Sequence, residues 1–182
     1  SVSISLPSIK AKREVGNLVS LIAGIKKTGL TLAPEAGTEK LRKALGKDFN
    51  EREFFDSLRE AYLSGYQHVK LYFMIGLPFE EKSDLDAIID FAVRVSESRR
   101  ALNYGPARVN VSVNTFVPKP HTPLQWSRME DAEKIADKQK YLKGRLKNSR
   151  IELNFHDRRM SFLEGVLSRG DRMLSEVISC AF

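Results

Sequence analysis

The stretch Lys70-Leu-Tyr-Phe-Met-Ile-Gly-Leu-Pro-Phe-Glu80 decides the fold class of this chain. Its apolar run is typical of a β-strand that is buried on both faces, as in a parallel sheet covered by helices. Gly76 and Pro78 end the run and free backbone groups at its carboxyl end, where α/β folds place their ligands. The stretch therefore predicts a buried strand that leads into a ligand site.

Four further runs have the pattern of strands, and helical patterns separate them. These runs cover residues 2–6, 29–33, 109–117 and 151–155. Strand–helix–strand units at spacings of roughly forty residues predict a parallel sheet. An eight-stranded barrel takes roughly 250 residues, whereas this chain has 182. The predicted fold class is therefore α/β, with mostly parallel strands that form either part of a TIM-type (β/α) barrel or a small open sheet.

Capping residues predict where several helices begin. Asn50 and Glu53 predict the start of a helix that stops at Gly65. Ser83 and Asp86 predict the start of the next helix. The other predicted helices are a polar one over residues 129–147 and a short α-helical tail over residues 161–182, divided near Gly170.

The chain is basic, with a net charge of +7 and a pI of about 9.5. An anionic partner such as RNA or a phosphorylated cofactor is one interpretation of this charge. A solvated basic surface, partly concentrated between Arg128 and Arg159, is the other. We favour the second interpretation because no aromatic-interleaved RNA motif accompanies the charge.

No apolar run approaches the roughly 20 residues that span a bilayer, and the chain opens without a signal-peptide pattern. We therefore expect a cytoplasmic protein with no membrane partner. The chain starts with Ser1 instead of Met and within a strand-like pattern. This start predicts a fragment of a longer protein.

Cysteine and histidine usage predicts no metal site within the chain. Cys180 is the only cysteine, which excludes an internal disulfide and a multi-cysteine metal site. The apolar helical pattern around Cys180 predicts a buried, unreactive thiol. His68, His121 and His156 have no ligand spacing. Of the three, only His121 is placed to touch a ligand.

A distinctive turn follows each of the first four predicted strands: Leu6-Pro-Ser8, Ala33-Pro-Glu-Ala-Gly-Thr38, Gly76-Leu-Pro-Phe-Glu80 and Val117-Pro-Lys-Pro-His-Thr-Pro123. Parallel strands place these turns at one edge of the sheet, so they can converge on one ligand. Glu35 can accept hydrogen bonds from the vicinal hydroxyls of a ribose, or it can cap the helix that follows. The spacing does not separate these two roles.

The third and fourth of these turns also have two interpretations each. The Gly-Leu-Pro turn can bring backbone close to a flat ligand, but by spacing alone an ordinary strand-to-helix turn is favoured. The three prolines between Val117 and Pro123 stiffen their loop, which is either a lid or a rigid crossover.

Three motifs together closely resemble the radical S-adenosylmethionine superfamily. They are Thr28-Gly-Leu-Thr-Leu-Ala-Pro-Glu-Ala-Gly-Thr-Glu-Lys-Leu-Arg42, Val69-Lys-Leu-Tyr-Phe-Met-Ile-Gly-Leu-Pro78 and Ser112-Val-Asn-Thr-Phe-Val-Pro-Lys-Pro-His-Thr-Pro123. The nearest branch resembles the uncharacterised members that carry a cobalamin-binding domain, kin to the methylthiotransferases. The resemblance covers nearly the whole chain.

This resemblance implies that residues 1–127 are the carboxyl-terminal half of a partial (β/α)₆ barrel, with residues 128–182 as a helical and β extension packed on it. It implies an S-adenosylmethionine site at the strand ends. Glu35 matches the acid that contacts the ribose, although Ala36 and Thr38 stand where relatives have serines. The other implied cofactor residues are Met74 or Ile75 against the adenine, Gly76 beside it, Val117 and Pro118 closing over it, and Ser8 near the methionine moiety.

The three-cysteine loop of that superfamily is absent from this chain. The resemblance implies a [4Fe-4S] cluster whose ligands lie outside it, in an amino-terminal half with a C-x-x-x-C-x-x-C pattern. We expect the chain to be inactive alone, since the cluster would start the radical chemistry. The use of cobalamin, the substrate and the catalytic residues stay open, and so does dimerisation or strand exchange of the isolated chain.

The alternative hypothesis is a non-catalytic basic α/β module that binds RNA. It predicts salt-sensitive RNA binding that weakens when Lys143, Arg145 and Lys147 are neutralised. A stand-alone enzyme of another type is disfavoured, because no nucleophile–base pair or metal set is visible in the sequence.

Overall fold

The computed structural model describes residues 29–181 of the chain. Within this range the elements are β1 (Leu30–Glu35), α1 (Glu39–Ala44), α2 (Glu51–Leu63), β2 (His68–Ile75), α3 (Lys82–Arg100), β3 (Arg108–Thr115), α4 (Ala132–Arg145), β4 (Ile151–Phe155), α5 (Arg158–Arg169) and α6 (Leu174–Ala181). Four of the five predicted strands are confirmed. The strand predicted over residues 2–6 lies outside the described residues.

The four strands form one sheet in the order β1-β2-β3-β4, and every neighbouring pair is parallel. The prediction of an α/β fold with parallel strands is therefore confirmed. β4, which belongs to the predicted extension over residues 128–182, pairs with β3 in this same sheet. The carboxyl ends of all four strands point to one edge of the sheet.

One face of the sheet carries the main core. On β2, Val69, Leu71, Phe73 and Ile75 are at most 2% exposed. They pack with buried apolar residues of α2, α3 and α4. Because successive side chains of a strand point to opposite faces, the residues between them lie on the other face.

That other face is polar and half-buried in the structure. On β2 it presents Lys70, Tyr72 and Met74, and on β3 it presents Asn110, Ser112 and Asn114. The expectation of a strand buried on both faces is therefore wrong for the described residues. The apolar run contains Lys70 and Tyr72 at alternate positions, which is enough to separate a polar face from an apolar one.

The predicted start of α2 at Asn50 is confirmed. The Asn50 side chain accepts hydrogen bonds from the backbone N–H groups of Arg52 (2.9 Å) and Glu53 (3.4 Å). Gly65 has a positive φ of 94° just past the end of the helix, as expected for a glycine at that position.

The predicted start of α3 is wrong by a few residues. The capping box is formed by Glu81 and Asp84, not by Ser83 and Asp86. Asp86 instead accepts hydrogen bonds from the Tyr141 hydroxyl (2.6 Å) and from Arg145 Nε (2.7 Å). It therefore ties α3 to α4, a tertiary contact that capping rules cannot foresee.

The tail consists of α5 and α6, divided near Gly170 as the sequence predicts. Cys180 lies exposed on α6, so the prediction of a buried thiol is wrong. The apolar pattern of this helix has no covering surface among residues 29–181, and none of its residues is buried. Over the same residues, no helix has the length and apolar character needed to cross a membrane.

Candidate functional site at the carboxyl rim

Three turns meet at the carboxyl end of the sheet. We call this edge the carboxyl rim; it comprises residues 35–38 after β1, 76–80 after β2 and 116–118 after β3. A small apolar cluster, distinct from the main core, joins the three turns. Its buried members are Ala36, Leu41, Leu77 and Phe116, and Leu45, Met74 and Leu124 pack against it. The first of the four predicted turns, which contains Ser8, lies outside the described residues.

Glu35 ends β1 in a strained backbone conformation. The pairing register with β2 is irregular between Leu32 and Glu35, and irregularities of this kind re-aim side chains. The φ angle of Glu35 is 69°, and the Ala36 N–H donates to the Pro34 carbonyl at 2.9 Å, which closes a γ-turn around Glu35. Such strain costs about 1–3 kcal/mol and clusters at ligand sites.

The Glu35 carboxylate lies at the carboxyl rim beside one cation. Its side chain is 20% exposed, and Oε1 lies 3.4 Å from Lys47 Nζ. The N-cap residue of α1 is Thr38, whose hydroxyl donates to Asp84 Oδ1 (2.5 Å). The Thr38 side chain makes no capping hydrogen bond to α1, and the helix-dipole role considered for Glu35 stays a prediction. The Thr38 hydroxyl is committed to Asp84.

Arg42 stabilises the turn after Glu35 through hydrogen bonds to its backbone. Its side chain is 1% exposed, and Nη1 donates to the carbonyls of Gly37 (3.0 Å) and Ala36 (3.4 Å). Nη2 donates to Glu51 Oε1 (2.7 Å). Burial acts to raise the pKa of Glu51, but hydrogen bonds from Arg42 and Arg94 outweigh it and hold that pKa below its usual value.

Met74 and Ile75 are the two residues considered for contact with the adenine, and their side chains point in different directions. The Ile75 side chain is fully buried in the main core, and its carbonyl accepts from the Phe116 N–H at 2.8 Å. Met74 is half-buried and packs against the apolar cluster of the carboxyl rim. Of the two side chains, Met74 is therefore the one available to a ligand.

Gly76 is favoured by its backbone conformation and lies close to a neighbouring helix. Its φ angle is 81°, in the region that favours glycine. A Cβ added at this position would lie 2.7 Å from Ile135 Cδ1 of α4. The Gly76 N–H donates to both carboxylate oxygens of Glu80, at 3.1 Å each. This amide is therefore occupied within the turn and does not face a nucleobase.

Glu80 is buried at the end of the same turn, with a side chain that is 2% exposed. Burial raises the pKa of its carboxyl group above the usual value, although hydrogen bonds from Lys138 and backbone amides oppose this. Lys138 Nζ lies 2.6 Å from Glu80 Oε1 and 2.6 Å from Glu130 Oε2. Burial acts to lower the pKa of Lys138, but hydrogen bonds to these two carboxylates outweigh it and raise that pKa.

The proline-rich loop closes the carboxyl rim on its third side. Val117 is half-buried and Pro118 is buried. Within residues 29–181, the buried Thr115 Oγ1 at the end of β3 has no hydrogen-bond partner. His121 is exposed with a φ of 61°, and its N–H donates to Gln125 Oε1 at 3.2 Å. Among the described residues, the His121 ring has no hydrogen-bond partner.

Two other observations bear on the choice of site. A cavity of about 840 Å³ lies at the opposite edge of the sheet, where the amino ends of the strands contribute Lys70, Arg108, Arg150 and Glu152. That edge is not where α/β folds bind their ligands. Among residues 29–181, no group of three or more His, Cys, Asp or Glu side chains could hold a metal ion.

The cations named for RNA binding are partly engaged. Arg145 Nε donates to Asp86, and Lys143 Nζ lies 5.3 Å from the centre of the Phe155 ring. Lys147 is exposed. RNA binding stays a prediction, and no contact in the described residues favours it.

Comparison with known proteins adds one relative. No family model matches the chain. Over 177 residues, which are 97% of this chain, it is 33% identical to a protein of Methanocaldococcus jannaschii called "Uncharacterized protein MJ0966". The chain spans 37% of the length of that relative.

Proposed function

We propose that this chain forms part of the S-adenosylmethionine-binding rim of a radical S-adenosylmethionine enzyme. The observation that carries the proposal is the strained γ-turn that presents the Glu35 carboxylate at the carboxyl rim. A carboxylate held this way can accept two hydrogen bonds from the vicinal hydroxyls of a ribose. The sequence resemblance of the three motifs is the second support, because each motif contributes one turn of the same rim.

The polar face of the sheet supports a partial (β/α) barrel. Parallel sheets normally have both faces covered by apolar packing, yet here one face carries Lys70, Tyr72, Asn110 and Ser112 half-buried. In a barrel, alternate strand residues point into the interior, so these four residues would face inward there. The proposal therefore assigns the carboxyl rim to the cofactor and this polar face to the barrel interior.

The residues of the carboxyl rim fit S-adenosylmethionine in part. Glu35 would bind the ribose hydroxyls, Met74 would pack against the adenine, and Val117 and Pro118 would close over it. Ile75 and Gly76 would contribute by holding the turn, since the Ile75 side chain and the Gly76 amide are occupied. Ser8 keeps its proposed place near the methionine moiety. The bound cofactor, cleaved reductively, would supply the radical.

The chain itself does not fit a [4Fe-4S] cluster. Such clusters are held by several cysteine thiolates, and Cys180 is the only cysteine, exposed on α6. We therefore assign the cluster ligands to protein outside this chain and route no step through its residues. Cobalamin enters only through the resemblance. The proposal includes a cytoplasmic location, where thiols are kept reduced.

The proposal is tested by substituting Glu35 in the complete, cluster-loaded protein and titrating S-adenosylmethionine. Glu35→Ala is expected to weaken binding about tenfold to a hundredfold, because hydrogen bonds to a charged group are worth about 1.5–3 kcal/mol. Glu35→Gly removes the same carboxylate but relieves the positive φ, so it should weaken binding equally while leaving the protein at least as stable.

The matched control is Glu39→Ala, an exposed glutamate on α1 that pairs with Lys43. It should bind S-adenosylmethionine as the wild type does. Wild-type affinity in both Glu35 variants would reject the ribose role. A complete protein without the C-x-x-x-C-x-x-C pattern would reject the radical mechanism independently.

A further inference from the structure

The turn after β2 is closed by one buried carboxylate. Glu80 accepts from the Gly76 N–H with both oxygens (3.1 Å each), and the Glu80 N–H donates to the Leu77 carbonyl at 3.1 Å. The side chain and the backbone of Glu80 therefore fix the two ends of the turn to each other. The turn begins at Gly76, two residues after Met74, which is the residue proposed to contact the adenine.

A buried carboxylate needs a compensating positive charge, and here the charge comes from a distant segment. Lys138 on α4 lies 58 residues further along the chain and reaches Glu80 Oε1 at 2.6 Å. The same ammonium group pairs with Glu130, which lies just before α4. The Lys138 side chain is itself only 20% exposed, so solvent screens this arrangement weakly.

The same face of α4 also lies against Gly76. Ile135, which is 1% exposed, lies where a Cβ at Gly76 would be only 2.7 Å away. Ile135 and Lys138 are three residues apart, so they are neighbours on one side of the helix. One helix face thus presses on Gly76 and supplies the charge that holds Glu80.

We propose that Lys138 is a positioning residue of the S-adenosylmethionine site, acting through Glu80 on the turn at Gly76. The inference rests on the proposed function and deepens it, since it gives segment 128–182 a role at the carboxyl rim. Lys138 holds the Glu80 carboxylate in place, Glu80 holds the Gly76 N–H, and the turn keeps the shape that meets the adenine. Lys138 itself contacts no ligand in this scheme.

The test is a double-mutant cycle on S-adenosylmethionine affinity in the complete protein. Lys138→Met leaves Glu80 buried without its cation, and we expect affinity to fall about tenfold. Glu80→Gln keeps an acceptor for the Gly76 N–H and should lose less. The double variant Glu80→Gln/Lys138→Met leaves only the partly exposed Glu130 without its cation, so it should bind within about threefold of the wild type. This recovery is the signature of a relay through Glu80.

Two controls separate positioning from general damage. Lys138→Arg keeps the positive charge and should restore most of the affinity, whereas Lys140→Met changes an exposed lysine of the same helix and should have no effect. Unchanged affinity in Lys138→Met, or losses that simply add in the double variant, would overturn the inference. If Lys138→Met does not fold, Lys138→Gln, which is also uncharged, takes its place in the cycle.

The Glu35 variants distinguish a failure of this inference from a failure of the proposed function. Loss of affinity in Glu35→Ala together with wild-type affinity in Lys138→Met rejects only the role of Lys138. Wild-type affinity in both variants rejects the S-adenosylmethionine site itself.

Discussion

Replacing Arg42 by methionine is expected to lower the free energy of unfolding by about 3 kcal/mol. The guanidinium donates to the carbonyls of Ala36 and Gly37, both buried residues, and to Glu51. Methionine fills much of the space but donates no hydrogen bond, so two buried carbonyls lose their donor. An unsatisfied buried polar group costs about 1–3 kcal/mol, which makes the carbonyls the main part of the loss.

Urea unfolding followed by circular dichroism measures this change, as a lower midpoint at an unchanged slope. Arg100→Met is the matched control, because Arg100 is exposed and, among residues 29–181, forms only an i,i+3 pair with Glu97. It should change the free energy of unfolding by less than about 0.5 kcal/mol. A shift equally small in Arg42→Met would show that the turn after β1 holds its shape without the guanidinium.

Replacing Gly37 by alanine is expected to cost about 3 kcal/mol of stability, the upper end of the range for overpacking. The new Cβ would lie 2.6 Å from the Asp84 carbonyl oxygen, 2.7 Å from the Ile88 nitrogen and 2.9 Å from the Ala87 carbonyl carbon. All three atoms belong to the backbone of α3. No side-chain rotation can relieve these contacts, so the turn and α3 must move apart.

The opposite sign is expected for the same chemical change at Gly144. This glycine lies near the end of α4, and among the described residues a Cβ there would meet no heavy atom within 4 Å outside the neighbouring backbone of its own helix. Gly144→Ala should therefore raise the free energy of unfolding by about 0.5–1 kcal/mol, because alanine loses less conformational freedom in a helix. Equal effects of the two substitutions in thermal unfolding would contradict the close approach of α3 to Gly37.

The strands could be predicted from the sequence because their signal is local. Apolar residues at alternate positions identify β3 and β4, and an apolar run bounded by Gly76 and Pro78 identifies β2. The start of α2 was equally readable from Asn50. The start of α3 was not, since Ser83 with Asp86 fits the capping pattern as well as Glu81 with Asp84 does. The structure separates them because Asp86 is bound by α4.

The candidate site could be predicted only in outline. Its turns follow from parallel strands, but the residues that hold them have partners far along the chain. Lys138 and Glu80 meet only after α4 has packed over the sheet. The local sequence around either residue does not predict this pair. Arg42 belongs to the motif over residues 28–42, yet its carbonyl acceptors depend on how the chain turns after Glu35. Local patterns carry no information on such contacts.

On β2 and β3, the residues of one face pack in the core, whereas the other face is polar and can contact a bound molecule. Substitutions at Lys70, Tyr72 or Asn110 change the chemistry of the polar face, while Leu71 and Phe73 continue to pack against the helices. We expect proteins built on this sheet to exchange one bound molecule for another through changes at every second residue. Such divergence would need no repacking of the interior, so ligand preference could evolve faster than the fold that supports it.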